Sequence, residues 1–409
     1  MAVGPASFPD MPVIEGLRLG TARAGIKTAG RRDLVVIEVP QGATVAGTFT
    51  RNAFCAAPVS VAREHLASCR MRGEAPRYLV VNTGNANAGT GDIGLRDARD
   101  TCAELAQLAG VAANQVLPFS TGVIGETLPM ERLLAGLPEA LRGLDEGAEG
   151  WAAAGEGILT TDTRPKGASV TVRLGDETVT INGISKGSGM IKPNMATMLG
   201  FVATDAAIAP SLLDELLRET VARSFNCITV DGDTSTNDAC MLIATGRGAR
   251  IDDEHRLAVF RDALQGLMIE LAQAIVRDGE GATKFVSLQV DGAVTREEAL
   301  DVAFTVAHSP LVKTALAASD ANWGRILAAV GRAPVEDFDV SRVTIDLGEV
   351  RLVEHGGCAA GYTEEAGSAV MAREEIAIRI ALGRGERSAT VWTTDLTREY
   401  VAINADYRS

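Results

Sequence analysis

The chain has 409 residues, is 46% hydrophobic and 22% charged, and carries a formal net charge of −14. This is the composition of a globular protein with ample material for a core, in one large or two moderate domains. An acidic chain with no basic stripe lacks the electrostatic footprint of nucleic-acid binding, and it has no run of about 18 apolar residues that could span a membrane.

The opening MAVGPASFPDMP has three prolines and no apolar core, so it does not read as a secretory signal, and a cytoplasmic location is expected. Cys55, Cys69, Cys102, Cys227, Cys240 and Cys358 are scattered and contain no CxxC pair, which reads as reduced, mostly buried thiols. His65, His255, His308 and His355 form no HxxxH or HxH pattern. A zinc site and a Ser-His-Asp triad are therefore not expected, and an enzyme built on this chain needs another base.

The N-terminal part alternates short β-rich runs with turns. Asp33 to Pro40 and Ala46 to Asn52 predict strands, Ser60 to Cys69 a helix, and Arg77 to Val81 a strand. The run Asn82-Thr83-Gly84-Asn85-Ala86-Asn87-Ala88-Gly89 follows as a loop; it fits either backbone N–H groups aimed at a ligand or a tight turn. Leu95 to Ala109 predicts an amphipathic helix, and Ser120-Thr121-Gly122 a loop after a short apolar run. Met130 to Leu141 reads as helix split in two by Gly136 and Pro138, and Glu149 to Leu159 as a further helix. Thr160 to Thr163, closed by Pro165 and Lys166, reads as cap and turn chemistry. Ser169 to Leu174 and Glu177 to Ile181 predict a hairpin turning at Gly175-Asp176.

The hairpin delivers the chain into Lys186 to Gly200, KGSGMIKPNMATMLG. Gly187, Gly189 and Pro193 make its first half a loop, and the apolar run from Thr197 to Ala203 predicts a buried strand. Thr197 thus stands where a glycine-rich loop enters a strand. A threonine hydroxyl is a weak nucleophile until a base removes its proton. A threonine that begins a chain can use its own α-amine, but an internal one cannot, because its nitrogen is part of an amide. Such a role requires a break between Ala196 and Thr197. The freed amine would have a pKa of about 7.7–8.0 and be partly neutral near pH 7.5.

Beyond Ala203, a capping box at Ser211 and Asp214 opens a helix that runs to about Ser224. Asp231 to Asp238 fails as a calcium loop, with Thr236 where glycine is needed and Leu242 where glutamate is needed, and reads as a polar active-site loop. Arg256 to Val276 predicts a long helix ending at Asp278-Gly279, then Glu280 between glycines, then a strand from Lys284 to Val290. From about residue 291 the pattern shifts to a smaller α+β unit. Its elements are a helix at Arg296 to Ala307, a helix opened by Ser319 to Arg325, and strands at Val343 to Leu347, Val350 to Val353, Glu375 to Leu382, Ala389 to Thr394 and Tyr400 to Asn404. The Asn322-Trp323-Gly324-Arg325 run fits ligand binding or capping and core packing equally well.

The stretch around Ala196-Thr197-Met198-Leu199 resembles the cleavage motif of the ornithine acetyltransferase family, the enzymes of the acetyl-recycling arginine pathway. The resemblance extends over residues from about 10 to 409, with the NTGNANA, DGDTSTND and DANWGRI runs in the family's order. It implies a layered αββα sandwich of the kind shared with β-peptidyl aminopeptidases, with a core over residues 1–290 and a smaller C-terminal domain over 291–409. It implies self-cleavage into fragments 1–196 and 197–409, assembled as two copies of each. By position, Thr197 is the acyl-enzyme nucleophile and Thr121 with Gly122 the oxyanion hole. Thr160, Lys186, Glu280, Asn404 and Ser409 contact substrate, the last in place of a family threonine whose hydroxyl it keeps.

The implied reaction is ping-pong. Acetyl moves from N2-acetyl-L-ornithine to Thr197, then to L-glutamate; amide is exchanged for amide and no cofactor is needed. The bifunctional form would also accept acetyl-CoA. The rivals are a self-cleaving aminopeptidase or amidohydrolase of the same fold, which would release acetate without glutamate, and a non-catalytic binding protein, which would remain uncut.

Overall fold

The protein is described by a computed structural model covering residues 2–4, 7–192 and 198–406. The chain begins with strands β1 (Arg18–Ala22), β2 (Leu34–Glu38) and β3 (Thr44–Phe49), helix α1 (Ala57–Met71), strand β4 (Tyr78–Asn85) and helix α2 (Gly91–Ala109). Strand β5 (Val116–Val123) leads to helices α3 (Met130–Arg142) and α4 (Ala148–Gly157), then to the hairpin of β6 (Lys166–Leu174) and β7 (Glu177–Lys186). Next come β8 (Leu199–Thr204), α5 (Pro210–Ala222), β9 (Ala239–Ala244), α6 (Glu254–Arg277) and β10 (Phe285–Ala293). Helices α7 (Arg296–Ala307), α8 (Pro310–Ala317) and α9 (Trp323–Gly331) precede strands β11 (Thr344–Leu347), β12 (Val350–Glu354) and β13 (Gly357–Cys358). Helix α10 (Glu364–Met371), strands β14 (Glu375–Ala381) and β15 (Arg387–Thr394) and helix α11 (Arg398–Ala405) complete it.

Two sheets, ordered β1-β2-β4-β5 and β3-β9-β8-β7-β6, pack face to face. The two-residue period of a strand sorts their side chains. Val35, Ile37, Leu79, Val81 and Phe119 of the first sheet meet Phe201, Met241 and Ile243 of the second in one buried cluster. At its centre the Phe119 and Phe201 rings stand edge to face, 5.3 Å apart. The intervening residues Leu34, Val36, Val80 and Val116 pack on Leu105 of α2 and Leu133 and Leu137 of α3. Those of the second sheet, Val179, Ile181, Val202 and Leu242, pack on α5 and α6. The result is the layered αββα sandwich. Because β2, β8 and β9 are covered on both sides, they read as nearly unbroken apolar runs.

A third sheet, ordered β13-β12-β11-β14-β10-β15, buries one face under α7 and α9 with a core of its own. Strand β10 spans residue 291, so the third sheet starts before the shift in sequence pattern.

Several local expectations are corrected. The predicted loops at Asn82–Asn85 and Ser120–Gly122 are strand: β4 and β5 pair in parallel from Tyr78↔Val116 onward through Asn82↔Ser120 and Thr83↔Thr121, and this ladder satisfies the backbone that turn chemistry would otherwise claim. Helix α3 runs unbroken through Gly136 and Pro138, because burial of Leu133, Leu137 and Ala140 outweighs the bond that proline removes. Helix α5 starts on Pro210 with Ala209 as its cap residue and no capping side chain, so Ser211 and Asp214 form no capping box. Residues 400–404, predicted as strand, lie in helix α11.

Candidate active site

Six of the predicted residues, Thr121, Gly122, Thr160, Lys186, Glu280 and Asn404, line one cavity of about 260 Å³. They arrive from five separate stretches of chain. Thr121 and Gly122 stand at the carboxyl end of β5, beside the parallel β4. Gly122 has φ +135° and faces a register shift at Gly84/Asn85. A Cβ there would lie 2.2 Å from the Gly84 carbonyl carbon, so only glycine lets the two backbones approach this closely.

Lys186 ends β7, and its ammonium donates to Thr121 Oγ1 at 2.8 Å. An ammonium has no lone pair, so Thr121 must accept here, and its own O–H proton is left to point elsewhere. A hydroxyl turned outward in this way is a donor ready for an oxygen that gains negative charge. Burial pushes the Lys186 ammonium below its ordinary pKa, while the carboxylates of Asp162, Asp238 and Glu280 oppose the shift.

Asp162 was not recognised in the sequence as part of this site. It is fully buried with Lys166, whose ammonium bridges Asp162 Oδ1 at 2.5 Å and Asp278 Oδ2 at 2.6 Å. Burial works against charge on Asp162, but the attraction of Lys166 and Lys186 prevails and holds its carboxyl below the usual range. Asp162 also accepts the N–H groups of Thr160 at 3.0 Å and Gly187 at 2.8 Å, so it fixes the Thr160 loop and the exit of β7 together. Asp278 accepts the Thr163 N–H at 3.0 Å, and its carbonyl accepts Ser188 Oγ at 2.7 Å. One buried charge cluster thus sets the positions of Thr160, Lys186 and, through Ser188, Glu280, whose N–H donates to the Ser188 carbonyl at 3.0 Å. Lys166 and Asp278 are 112 residues apart, a separation that carries no local sequence signal.

Glu280 is buried and accepts Asn404 Nδ2 at 2.8 Å through Oε2. A Cβ on Gly189 would fall 2.4 Å from that same Oε2, so the loop glycine makes room for the carboxylate. Asn404 comes from α11, which is docked by Gly281: φ there is +66°, and a Cβ would lie 2.5 Å from the Tyr400 nitrogen. Asp231 accepts Met190 N at 2.6 Å, Ile191 N at 2.8 Å and Tyr400 Oη at 3.3 Å, tying the glycine-rich loop to α11.

The DGDTSTND loop supplies Ser235, Thr236 and Asn237 to the cavity wall. Asn237 Nδ2 donates to the carbonyls of Ala86 at 2.5 Å and Ser120 at 2.9 Å, stitching three segments together. In the NTGNANA run the side chains of Asn82, Asn85 and Asn87 bond to nearby backbone groups, which fastens the end of β4 and the bend that follows it. In the DANWGR run Asn322 caps α9 by accepting Arg325 N at 3.2 Å, and Arg325 donates to the Leu311 carbonyl at 2.9 Å; capping and packing account for this segment.

Ala196, Thr197 and Ser409 lie outside the described residues. Met198 and Leu199 line a small recess together with Thr121, Lys186 and Asn237. Among the described residues no cluster of histidine, cysteine and carboxylate side chains is arranged to hold a metal.

Residues 18–409 match the model of the ArgJ family. An arginine biosynthesis bifunctional protein ArgJ from Pseudomonas fluorescens is 56% identical over 414 residues, covering 100% of both chains. The protein of that name from Methylococcus capsulatus is 56% identical over 399 residues, covering 97% of this chain and 96% of its own. The chain belongs to the ArgJ family. A crystal structure of arginine biosynthesis bifunctional protein ArgJ from Bacillus halodurans is 40% identical, covers 51% of this ArgJ-family chain and 99% of that one, and superposes with a TM-score of 0.49.

Proposed function

We propose that this chain transfers an acetyl group from N2-acetyl-L-ornithine to L-glutamate in arginine biosynthesis, through an acetyl-threonine at Thr197 formed after cleavage between Ala196 and Thr197. The convergence of Thr121, Gly122, Thr160, Lys186, Glu280 and Asn404 on one cavity carries this reading, with the Lys186–Thr121 hydrogen bond at its centre. The α-amine of Thr197 takes the hydroxyl proton, Thr197 Oγ1 forms a bond to the acetyl carbon, and Thr121 O–H and the Gly122 N–H stabilise the oxyanion. The C–N bond breaks and the departing ornithine amine receives the proton. Glutamate then attacks the ester with its α-amine, and Thr197 leaves with a proton restored. In this reading Glu280 accepts the side-chain ammonium of ornithine, and Lys186 meets a substrate carboxylate.

In this reading no cofactor is required, because one amide replaces another; acetyl-CoA is a second acetyl donor, and Ser409 is a further substrate contact. The fragments assemble as two copies of 1–196 and two of 197–409 in the cytoplasm, without nucleic-acid or membrane partners. The core comprises residues 1–290 and the smaller unit 291–409, with β10 crossing the seam.

Intact-mass measurement on purified protein is expected to show fragments 1–196 and 197–409, and Thr197→Ala a single full-length, inactive chain. A full-length species in fully active wild-type protein, or acetyl exchange retained by Thr197→Ala, would overturn the mechanism. Acetate release without glutamate would instead identify the amidohydrolase.

A further inference from the structure

A second cavity, of about 310 Å³, shares Gly122, Val123, Thr160 and Thr161 with the first. Its outer wall is formed by Lys27, Thr28 and Arg31. These belong to the stretch from Gly16 to Arg32, which holds Arg18, Arg23, Lys27, Arg31 and Arg32 and no acidic residue, in a chain whose net charge is −14. Arg18 and Arg32 are paired with Glu38 and Glu156. Arg31 donates to the Leu159 carbonyl at 2.7 Å and the Thr160 carbonyl at 3.2 Å, which leaves its charge uncancelled by these partners. Among the described residues the one carboxylate on this wall is Asp33, which is buried and accepts the N–H groups of Ala24 at 2.7 Å and Ile26 at 2.6 Å, so it faces its own loop.

The two chambers therefore differ in charge: the first balances Lys186 with Glu280, whereas the second sets Lys27 and Arg31 against a single carboxylate that is turned to its own loop. The first sets Glu280 beside Lys186 and suits a substrate whose side chain is cationic. A substrate with an anionic side chain or tail is repelled by Glu280 and needs another place for that group while its reacting atoms stay near Gly122. Resting on the acetyl-transfer reading above, we infer that the second chamber, walled by Lys27 and Arg31, receives the anionic group of the second substrate. The chemistry is a carboxylate or phosphate: the side-chain carboxylate of glutamate, or the phosphates of acetyl-CoA.

Charge reversal tests this. Lys27→Glu and, separately, Thr28→Glu at an exposed position on the same wall are assayed in three ways. One is the KM for glutamate in acetyl exchange. Another is the KM for acetyl-CoA against that for S-acetylpantetheine, which lacks the phosphates. The last is single-turnover release of ornithine from N-acetylornithine. A rise of about tenfold in the glutamate KM, with ornithine release unchanged, assigns the chamber to the carboxylate. A similar rise for acetyl-CoA but not S-acetylpantetheine assigns it to phosphate. Unchanged KM values for both substrates, or an equal loss in ornithine release, overturn the inference. A wild-type protein that releases no ornithine strikes the acetyl-transfer reading itself.

Discussion

The central strands of the sandwich are covered on both faces, whereas β14 of the third sheet alternates exposed and buried residues along its length. The same contrast runs through their charges. In the sandwich Lys166 bridges Asp162 and Asp278 with its side chain 1% exposed and both carboxylates 0% exposed. In the third sheet Arg379 pairs with Asp291 at 2.5 Å, but the arginine side chain is 61% exposed. The two regions thus hold similar chemical pairs in opposite dielectric surroundings. A charge that water can reach is replaceable; one buried beneath a reaction chamber fixes the geometry around it.

The sharpest way to break this comparison is Lys166→Met. Two buried carboxylates would lose their common partner, and a destabilisation of about 3–5 kcal/mol is expected in urea unfolding. A cost under about 1 kcal/mol would show that water reaches the cluster. Gly122→Ala comes next. Its Cβ cannot be accommodated beside Gly84, so the β5 terminus must move, and kcat is expected to fall by about a hundredfold or more. Measuring ornithine release alongside a thermal melt separates lost chemistry from lost folding. In the third sheet, Ile378→Val should cost about 1 kcal/mol and leave the KM for N-acetylornithine unchanged, since Ile378 is buried among apolar neighbours away from the cavity walls. The smallest effect belongs to Arg379→Ala, whose shift of the urea midpoint should be smaller than that of Ile378→Val in the same unfolding assay and should diminish with added salt.

These differences also explain what could be read from the sequence. The hairpin of β6 and β7, helices α6 and α7 and the apolar strands announce themselves through period and turn chemistry. The contacts of Thr121, Gly122, Lys186 and Glu280 were legible only through motif resemblance, since each alone is an ordinary loop or strand residue. The ends of β4 and β5 were misread because asparagine and glycine favour turns locally, while the parallel ladder between them is a tertiary fact. Helix α11 was misread for a related reason. Tyr400 and Val401 have strand-like propensity, and none of the helix's residues is fully buried; its place is set from outside by Gly281 and Glu280. The Asp162–Lys166–Asp278 cluster left a trace only in the Thr-rich run before Pro165, where hydroxyls and an aspartate look like cap chemistry.

The order of the second sheet, β3-β9-β8-β7-β6, has a bearing on any break in the chain before residue 197. Such a break would put β8 and β9 on one polypeptide and the strands on either side of them on the other. Six residue pairs join β3 to β9 and six join β7 to β8, so the later piece is wedged into the earlier one like a middle course of bricks. Two polypeptides interleaved in this way melt in a single transition and travel together through native chromatography, and neither half has a complete sheet in which to mature alone. Severing the backbone here would alter covalent connectivity and liberate an amine while leaving the architecture whole.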